Sequence, residues 1–380
     1  MGIFHRFKRL STALHRAADA SSHRDVFALE PLEQRILLSA DPMLSPTGVL
    51  APEDEPESQH TEALPKDEEV EKVELALDVA DLEGQDRVNV ATDETLKGGG
   101  EHDIRLENSG TVAPGNSPDS LSVNEYTQDR DGTLELEIGG TEPGTEFDEV
   151  DIDEKATLSG DLDLSFINDY EPEAGDSVEL MRYGEVEGGF DRINGLHDQN
   201  LDETLLRLDE TPTKLVLEAL ESQFITLPTT ADGGDYVEIR QDELGSLSFS
   251  GLMTDTIMLD ASPGLTIQGS AGYSIRFVDT LDFQDRHVLV RGGELEITSG
   301  ASLSTTGDLT LFSQTGDISV AGQLEAGKTL TLDARDEAAE AQVTLEDDAS
   351  LQAERIRLNA STAGNVSEDM GRVEGSTQRC

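Results

Sequence analysis

Short runs of alternating apolar and polar residues cover most of this chain. Leu134, Leu136 and Ile138 alternate with polar residues, and Val150 and Ile152 form a similar run. An alternation with a period of two places the apolar side chains on one face of a strand. Because Gly, Asp, Asn and Ser separate the runs, the pattern predicts many short strands and an all-β fold.

Beyond residue 223 the apolar positions also recur at long range. Two sets share one spacing and begin 21 residues apart, and a third set, which begins 27 residues after the second, is one residue tighter. A period of this length with two or three strands is typical of one coil of a parallel β-solenoid, or β-helix. We therefore predict inward-pointing apolar columns, with Thr, Ser and Asp facing water. The sets are Leu303 with Leu309 and Leu311, Leu324 with Leu330 and Leu332, and Leu351 with Ile356 and Leu358.

The first residues differ from the rest because they are basic. Ile3, Phe7, Leu10 and Leu14 have the spacing of one helical face, so residues 1–26 are predicted to form an amphipathic helical arm. Such a helix can make weak contact with an anionic membrane surface. The alternative is a short arm without any membrane role. No apolar region follows the basic start, so no secretory signal peptide is predicted.

Residues 43–85 are rich in Asp, Glu and Pro. Too little apolar surface is available there to offset the entropy lost on ordering, so an acidic disordered linker is predicted. Near its end, Val73, Leu75, Leu77 and Val79 alternate with polar residues. A first strand therefore competes with a helix at this point.

The charge balance limits the partners of this chain. It carries 80 acidic and 27 basic residues, a formal net charge of -53. Such an excess repels nucleic acid and excludes it as a partner. The composition fits either adaptation to salt or simple solubility of a large extracellular chain. With aromatics at 4% and no Trp, thin stacked layers of Leu, Ile and Val are favoured over one thick core.

Residues 27–42 contain Leu-Glu-Pro and then Arg-Ile-Leu-Leu-Ser-Ala-Asp-Pro. This segment resembles the LEPR-XLL motif near the N-termini of very large repetitive bacterial surface proteins. The chain departs from the family at Leu32 to Gln34, which separate Pro31 from Arg35. The resemblance implies an export, sorting or retention tag, whereas the alternative is an apolar helical turn. The residues that carry the motif are Leu29, Glu30, Pro31, Arg35, Leu37 and Leu38.

Two further resemblances concern the β-rich part. Residues 108–118, NSGTVAPGNSP, resemble the signature of autotransporter-type solenoids, and the likeness continues in order to about residue 220. Residues 301–311, ASLSTTGDLTL, resemble filamentous-haemagglutinin repeats. Both imply a β-solenoid of the kind used for surface display, and neither implies a particular ligand.

Candidate chemistry is sparse. The histidines lack the spacing of metal ligands, and Cys380 is a lone terminal thiol that cannot form an internal disulfide. Oxygen-rich turns are compatible with a structural calcium ion, and no other cofactor is predicted. Arg276, Arg286 and Arg291 form the densest basic group in the body of the chain, with acidic residues interspersed. Four carboxylates could line adjacent coils, as in polysaccharide-active β-helices. They are Asp151, Asp153, Asp161 and Asp163.

These observations predict an all-β protein, a parallel β-solenoid preceded by a short amphipathic helix and a disordered acidic linker. Its expected function is that of the N-terminal, truncated part of a large exported bacterial adhesin, secreted or at the cell surface, without catalysis. Its partners would be an unknown surface or glycan ligand and further repeats of a longer parent chain. The alternative is a β-helix polysaccharide lyase or glycosidase.

The predicted segments are a basic arm (1–26), the LEPR-XLL motif (27–42), an acidic linker (43–85), an autotransporter-type solenoid (86–222), haemagglutinin-like repeats (223–370) and a tail (371–380).

Overall fold

The structure is a computed structural model in which all described residues belong to the unit Val70–Cys380. They form 29 strands, so the all-β prediction is confirmed. The predicted basic arm, the LEPR-XLL motif and most of the acidic linker lie outside the described residues. The structure describes residues 75–78, 84–115, 118–197, 199, 201, 203–227, 236–250, 256–269, 274–335, 340–360, 366–368 and 372–379.

The first coil stack consists of two parallel sheets whose strands alternate along the chain. Odd-numbered strands pair in the order β1-β3-β5-β7-β9-β11, and even-numbered strands in the order β2-β4-β6-β8-β10. Each coil therefore gives one strand to each sheet. The strands are β1 Leu75–Asp78, β2 Arg87–Val90, β3 Glu94–Lys97, β4 Gly100–Asn108, β5 Thr111–Ala113, β6 Ser120–Gln128, β7 Thr133–Ile138, β8 Glu149–Leu158, β9 Asp161–Phe166, β10 Ser177–Gly188 and β11 Arg192–Asn194.

Strand β1 corrects the predicted linker, which was placed over residues 43–85. Residues 75–78 pair in parallel with β3, through Leu75 opposite Glu94 and Leu77 opposite Leu96. The alternating residues at this point therefore form a strand and not a helix. Its backbone groups find partners in the next coil, which offsets the cost of ordering an acidic segment.

An antiparallel hairpin follows the first stack and departs from the prediction of parallel strands throughout. Strand β12 (Thr204–Glu210) pairs antiparallel with β13 (Lys214–Thr226), and β13 also pairs antiparallel with β10. A turn of three residues suffices for such a hairpin, whereas a parallel pair needs a long crossover. The predicted boundary between residues 222 and 223 lies inside β13, so one strand belongs to both predicted segments.

The second coil stack has three strands in most coils. Residues 222–226 of β13 start it by pairing in parallel with β16. The strands are β14 Tyr236–Gln241, β15 Leu247–Phe249, β16 Gly264–Gln268, β17 Ser274–Phe277, β18 Thr280–Asp282, β19 His287–Gly292, β20 Leu295–Ile297, β21 Ser302–Thr305, β22 Leu309–Ser313, β23 Ile318–Val320, β24 Gln323–Ala326, β25 Thr329–Ala334, β26 Val343–Leu345, β27 Ser350–Ala360, β28 Val366–Glu368 and β29 Arg372–Arg379.

The predicted period and inward columns of the second stack are confirmed. Leu309 lies opposite Leu330 and Leu330 opposite Ile356 in parallel register, and all three side chains have zero exposure. The third coil is longer because the connections between β25 and β26 and between β26 and β27 are both longer than those between the matching strands of the coil before it. The predicted tail (371–380) contains β29, which pairs in parallel with β27.

Asp148 is a buried acid in the first stack. Its side-chain oxygens accept hydrogen bonds from the backbone N–H groups of Asp119 at 2.9 Å and Glu137 at 2.7 Å. Burial raises the pKa of Asp148 to about 7 although these two bonds lower it. Because the folded pKa lies above the unfolded value, the ionised form is disfavoured in the fold. This group therefore favours folding most below about pH 4, and that contribution is lost as the pH rises to 7.

We expect the free energy of unfolding of the full chain to fall between pH 4 and pH 8 by on the order of 3 kcal/mol through Asp148 alone. Asp148→Asn removes this titration. The free energy of unfolding of this variant should therefore fall less steeply with pH than that of the unsubstituted protein. Urea titrations at several pH values measure the difference. Asp153→Asn is the matched control, because it removes the same charge from an exposed position. If the free energy of unfolding changes equally with pH in Asp148→Asn and Asp153→Asn, the attribution of this pH dependence to Asp148 is wrong.

Candidate functional site

The outward side chains of β19, β22 and β25, and those of residues 355–359 in β27, are buried or half-buried, contrary to the prediction that Thr, Ser and Asp face water on this stack. The described residues between 190 and 210 lie against them. Arg291 donates to the carbonyl oxygen of Gln199 at 2.9 Å, and Arg357 donates to that of Phe190 at 3.2 Å. We call this contact, the described residues between 190 and 210 against these outward side chains, the junction. It joins the end of the first stack to the side of the second.

Arg207 lies at the centre of the junction, on β12. Its guanidinium donates to Asp308 at 3.0 Å, to Glu218 at 2.5 Å and to Asp209 at 2.7 Å. The Arg207 side chain is only 10% exposed. Because a guanidinium has several donors in a fixed plane, one residue satisfies three carboxylates at once. Removal of Arg207 would leave these negative charges facing one another.

Asp308 is the acceptor on the side of the second stack. One oxygen contacts Nδ1 of His287 at 2.7 Å as well as Arg207, and the other accepts the backbone N–H of Thr329 at 2.9 Å. Burial raises the pKa of Asp308, but the hydrogen bond with His287 and the charges of His287 and Arg207 outweigh it and lower the pKa to about 2. Asp308 is therefore a stable anion at neutral pH.

An aromatic side chain lies further along β22, in register with Arg291 on one side and Asp333 on the other. The Phe312 ring lies 5.8 Å from the guanidinium carbon of Arg291 and 5.0 Å from that of Arg335. The ring of His197 is tilted against Phe312 with centroids 6.2 Å apart. Leu205 and Leu289 complete a small apolar cluster with Phe312. The cavity left inside the junction is about 50 Å³, room for a few water molecules at most.

The rim of the junction has a larger cavity of about 320 Å³. Arg355 and Arg357 flank the inward Ile356, and both guanidinium groups pair with the single carboxylate of Glu210. Burial, together with the nearby charge of Arg357, lowers the pKa of Arg355 to about 10. We call this cavity the arginine pocket. It is lined by Leu158, Tyr183, Val186, Gly188, Gly189, Phe190, Glu210, Thr211, Pro212, Leu215 and Arg355.

No protein family, curated protein or solved structure matches this chain.

The four carboxylates considered for a polysaccharide-active site lie in two different sheets. Asp151 and Asp153 are on β8, in the sheet of even-numbered strands, whereas Asp161 and Asp163 are on β9, in the sheet of odd-numbered strands. Asp151 lies 3.7 Å from Arg182. Asp163 accepts a hydrogen bond from Asn194 at 2.6 Å. The fold therefore does not bring the four side chains together into one ladder.

The predicted basic group is also divided by the fold. Arg276 pairs with Glu296 at 2.5 Å across adjacent coils. Arg286 is buried and donates to the backbone oxygens of Phe283 and Asp260. Arg291 belongs to the junction. These arginines therefore serve three separate structural contacts.

The remaining predicted site residues belong to the LEPR-XLL motif, and all of them lie outside the described residues. Where the structure describes the chain, no three His, Cys, Asp or Glu side chains converge on a point that could hold a metal ion. In the same ranges, no helix is long and apolar enough to cross a membrane.

The junction was missed in the sequence, although a signal for it exists. Residues 288–292 are all buried, and so are residues 309–313. Leu289 and Phe312 occupy outward positions where a solvated coil would carry polar residues. An apolar or aromatic residue that breaks the alternation therefore indicates a second layer. The identity of that layer could not be read from these positions.

Proposed function

We propose that this chain belongs to a large exported bacterial surface protein and serves a structural and adhesive role without catalysis. The observation that supports this most is the parallel, in-register stacking of the coils in the second stack. Each coil buries its own apolar column and presents a column of outward side chains. Repetition of such units builds a long surface from short sequence repeats.

The outward column of the β20, β23 and β26 sheet illustrates this surface. Glu296 lies opposite Ser319, and Ser319 opposite Thr344. Short polar and acidic side chains at aligned positions can make many weak, similar contacts with an extended partner. Many such contacts add up to useful avidity. The partner in this proposal is a surface or glycan ligand, and further repeats of a longer parent chain extend the stack.

The N-terminal residues complete the proposal. The LEPR-XLL-like residues Leu29, Glu30, Pro31, Arg35, Leu37 and Leu38 would act as an export or retention tag. The basic arm before them would add weak contact with an anionic membrane surface. Both roles follow from the sequence resemblance and the charge pattern. We therefore propose a location outside the cytoplasm or at the cell surface.

A binding assay with a built-in test for turnover examines this proposal. Full-length protein is passed over a panel of immobilised neutral and acidic glycans and over apolar and polar solid surfaces. We expect saturable binding to at least one member, and loss of that binding in Leu330→Asp, which breaks the stack. Uronate polymers are incubated with the protein, with and without calcium, while absorbance of the unsaturated product is followed. Product formation would overturn the proposal and favour the polysaccharide lyase.

A further inference from the structure

The arginine pocket contains a cation whose donors the protein uses only in part. A guanidinium offers five N–H groups. The side chain of Arg355 contacts Glu210 and the carbonyl oxygen of Gly188, the latter at 3.5 Å. The Arg355 side chain lines a cavity of about 320 Å³ and is 24% exposed. A buried or half-buried charge is stable when its hydrogen-bonding capacity is filled, so an anionic ligand would complete this site.

The local charge balance also favours an anion. Glu210 pairs with both Arg355 and Arg357. The chain as a whole has a net charge of -53. Two guanidinium groups at one carboxylate are therefore unusual for this protein. At an ionic strength of 0.15 M, charges more than about 8 Å away are largely screened, so a small anion in the pocket responds mainly to the arginines.

The other walls of the pocket are apolar and aromatic. Tyr183 and Phe190 are almost fully buried, and the Tyr183 hydroxyl is occupied by a hydrogen bond to the carbonyl oxygen of Thr211 at 3.0 Å. Gly188 has a φ of +82°, and a Cβ there would lie 2.3 Å from the carbonyl oxygen of Leu158. That position is therefore restricted to glycine, which leaves the wall beside Arg355 without a side chain. One end of the cavity is therefore cationic, and the remaining walls can pack against the C–H groups of a ligand.

We propose that the arginine pocket binds one acidic sugar residue, with its carboxylate on Arg355 and the C–H face of its ring against Tyr183 and Val186. This inference rests on the proposed function and names the ligand class of the glycan it implies. A planar carboxylate matches the fork of a guanidinium. The volume lies at the low end of small-molecule sites and accommodates a single ring. A dianion such as phosphate is less well matched, because Glu210 already neutralises one of the two arginines.

Calorimetric titration of full-length protein with glucuronate, glucose and inorganic phosphate tests the pocket. We expect saturable binding of glucuronate, and binding at least tenfold weaker for glucose and for phosphate. Arg355→Gln should weaken glucuronate binding at least tenfold. Arg182→Gln is the matched control, since Arg182 is an exposed arginine in ion pairs on the outer face of β10, and it should leave the affinity unchanged.

A second variant separates loss of the ligand site from loss of folding. Val186→Trp fills the cavity from its half-buried rim and leaves both arginines in place. We expect it to abolish glucuronate binding while its circular dichroism and melting temperature stay close to those of the unsubstituted protein. Equal affinity for glucuronate and glucose, binding of phosphate as tight as that of glucuronate, or unchanged binding in Val186→Trp would overturn the inference. If surface binding persists while glucuronate does not bind, the pocket inference fails and the proposed adhesive function stands.

Discussion

Replacing Leu330 with aspartate is expected to lower the free energy of unfolding by at least about 4 kcal/mol. Leu330 has zero exposure and lies between Leu309 and Ile356 in the inward column of the second stack. The substitution removes a large apolar side chain and places a carboxylate where the adjacent coils supply only apolar neighbours. Because each coil supports the next, the damage should spread beyond β25.

Urea unfolding of the full chain, followed by circular dichroism, measures this effect. Thr344→Asp is the matched control, since Thr344 is an outward residue of β26 beside Ser319. There the new charge remains in contact with water, so the cost should stay below about 1 kcal/mol. Similar destabilisation by both variants would mean that the inward and outward columns are wrongly assigned.

Replacing Arg207 with methionine is expected to cost about 3–5 kcal/mol, the range for breaking a buried ion pair by removing one partner. The methionine side chain keeps much of the packing volume but none of the charge. Asp308, Glu218 and Asp209 would then lose their shared donor inside the junction. We expect the junction to open before either stack unfolds, because its stability depends on this charge balance.

Hydrogen exchange and urea unfolding of the full chain test this prediction. Arg105→Met provides the control: Arg105 forms an ion pair with Glu125 at 2.5 Å, but its side chain is 48% exposed. Exposed pairs contribute at most about 1 kcal/mol, so this variant should be only slightly destabilised. If the two arginine variants lose equal stability, burial does not set the strength of the Arg207 contacts.

A double-mutant cycle separates the energy of the contact between Arg207 and Asp308 from that of the Arg207 contacts with Glu218 and Asp209. Asp308→Asn alone should cost less than Arg207→Met, because Arg207 keeps Glu218 and Asp209 as partners. The double variant should be more stable than the sum of the two single losses predicts, since the carboxylate left unpaired in Arg207→Met is then absent. Strict additivity would show that the two side chains do not interact.

The junction connects the two coil stacks through residues that are far apart in the sequence. Contacts within each stack join neighbouring coils, whereas Arg207 and Asp308 are 101 residues apart in the sequence. Lys328 contacts Asp209 over a separation of 119 residues. These contacts attach the end of the first stack to the side of the second.

Alternation by itself was sufficient to predict the strands and the inward columns. Leu134, Leu136 and Ile138 lie in β7 with no exposure, as their spacing predicted. The 21-residue repeat predicted the pairing of Leu309 with Leu330. Both predictions succeeded because a strand's side chains alternate and because stacked parallel coils must match in register. These are local rules, so a single sequence contains the information they need.

The tertiary structure decided where the coils end and what covers them. In the first stack, the separation along the sequence between paired residues grows from 22 residues (Val112 to Leu134) to 28 residues (Leu134 to Leu162). No fixed period is therefore visible in the sequence. The hairpin, the junction and the arginine pocket each depend on residues far apart along the chain. Arg355 pairs with Glu210 only because β12, which ends at Glu210, lies against the second stack. An outward position has the same local pattern whether water or another layer faces it, and only long-range packing distinguishes the two.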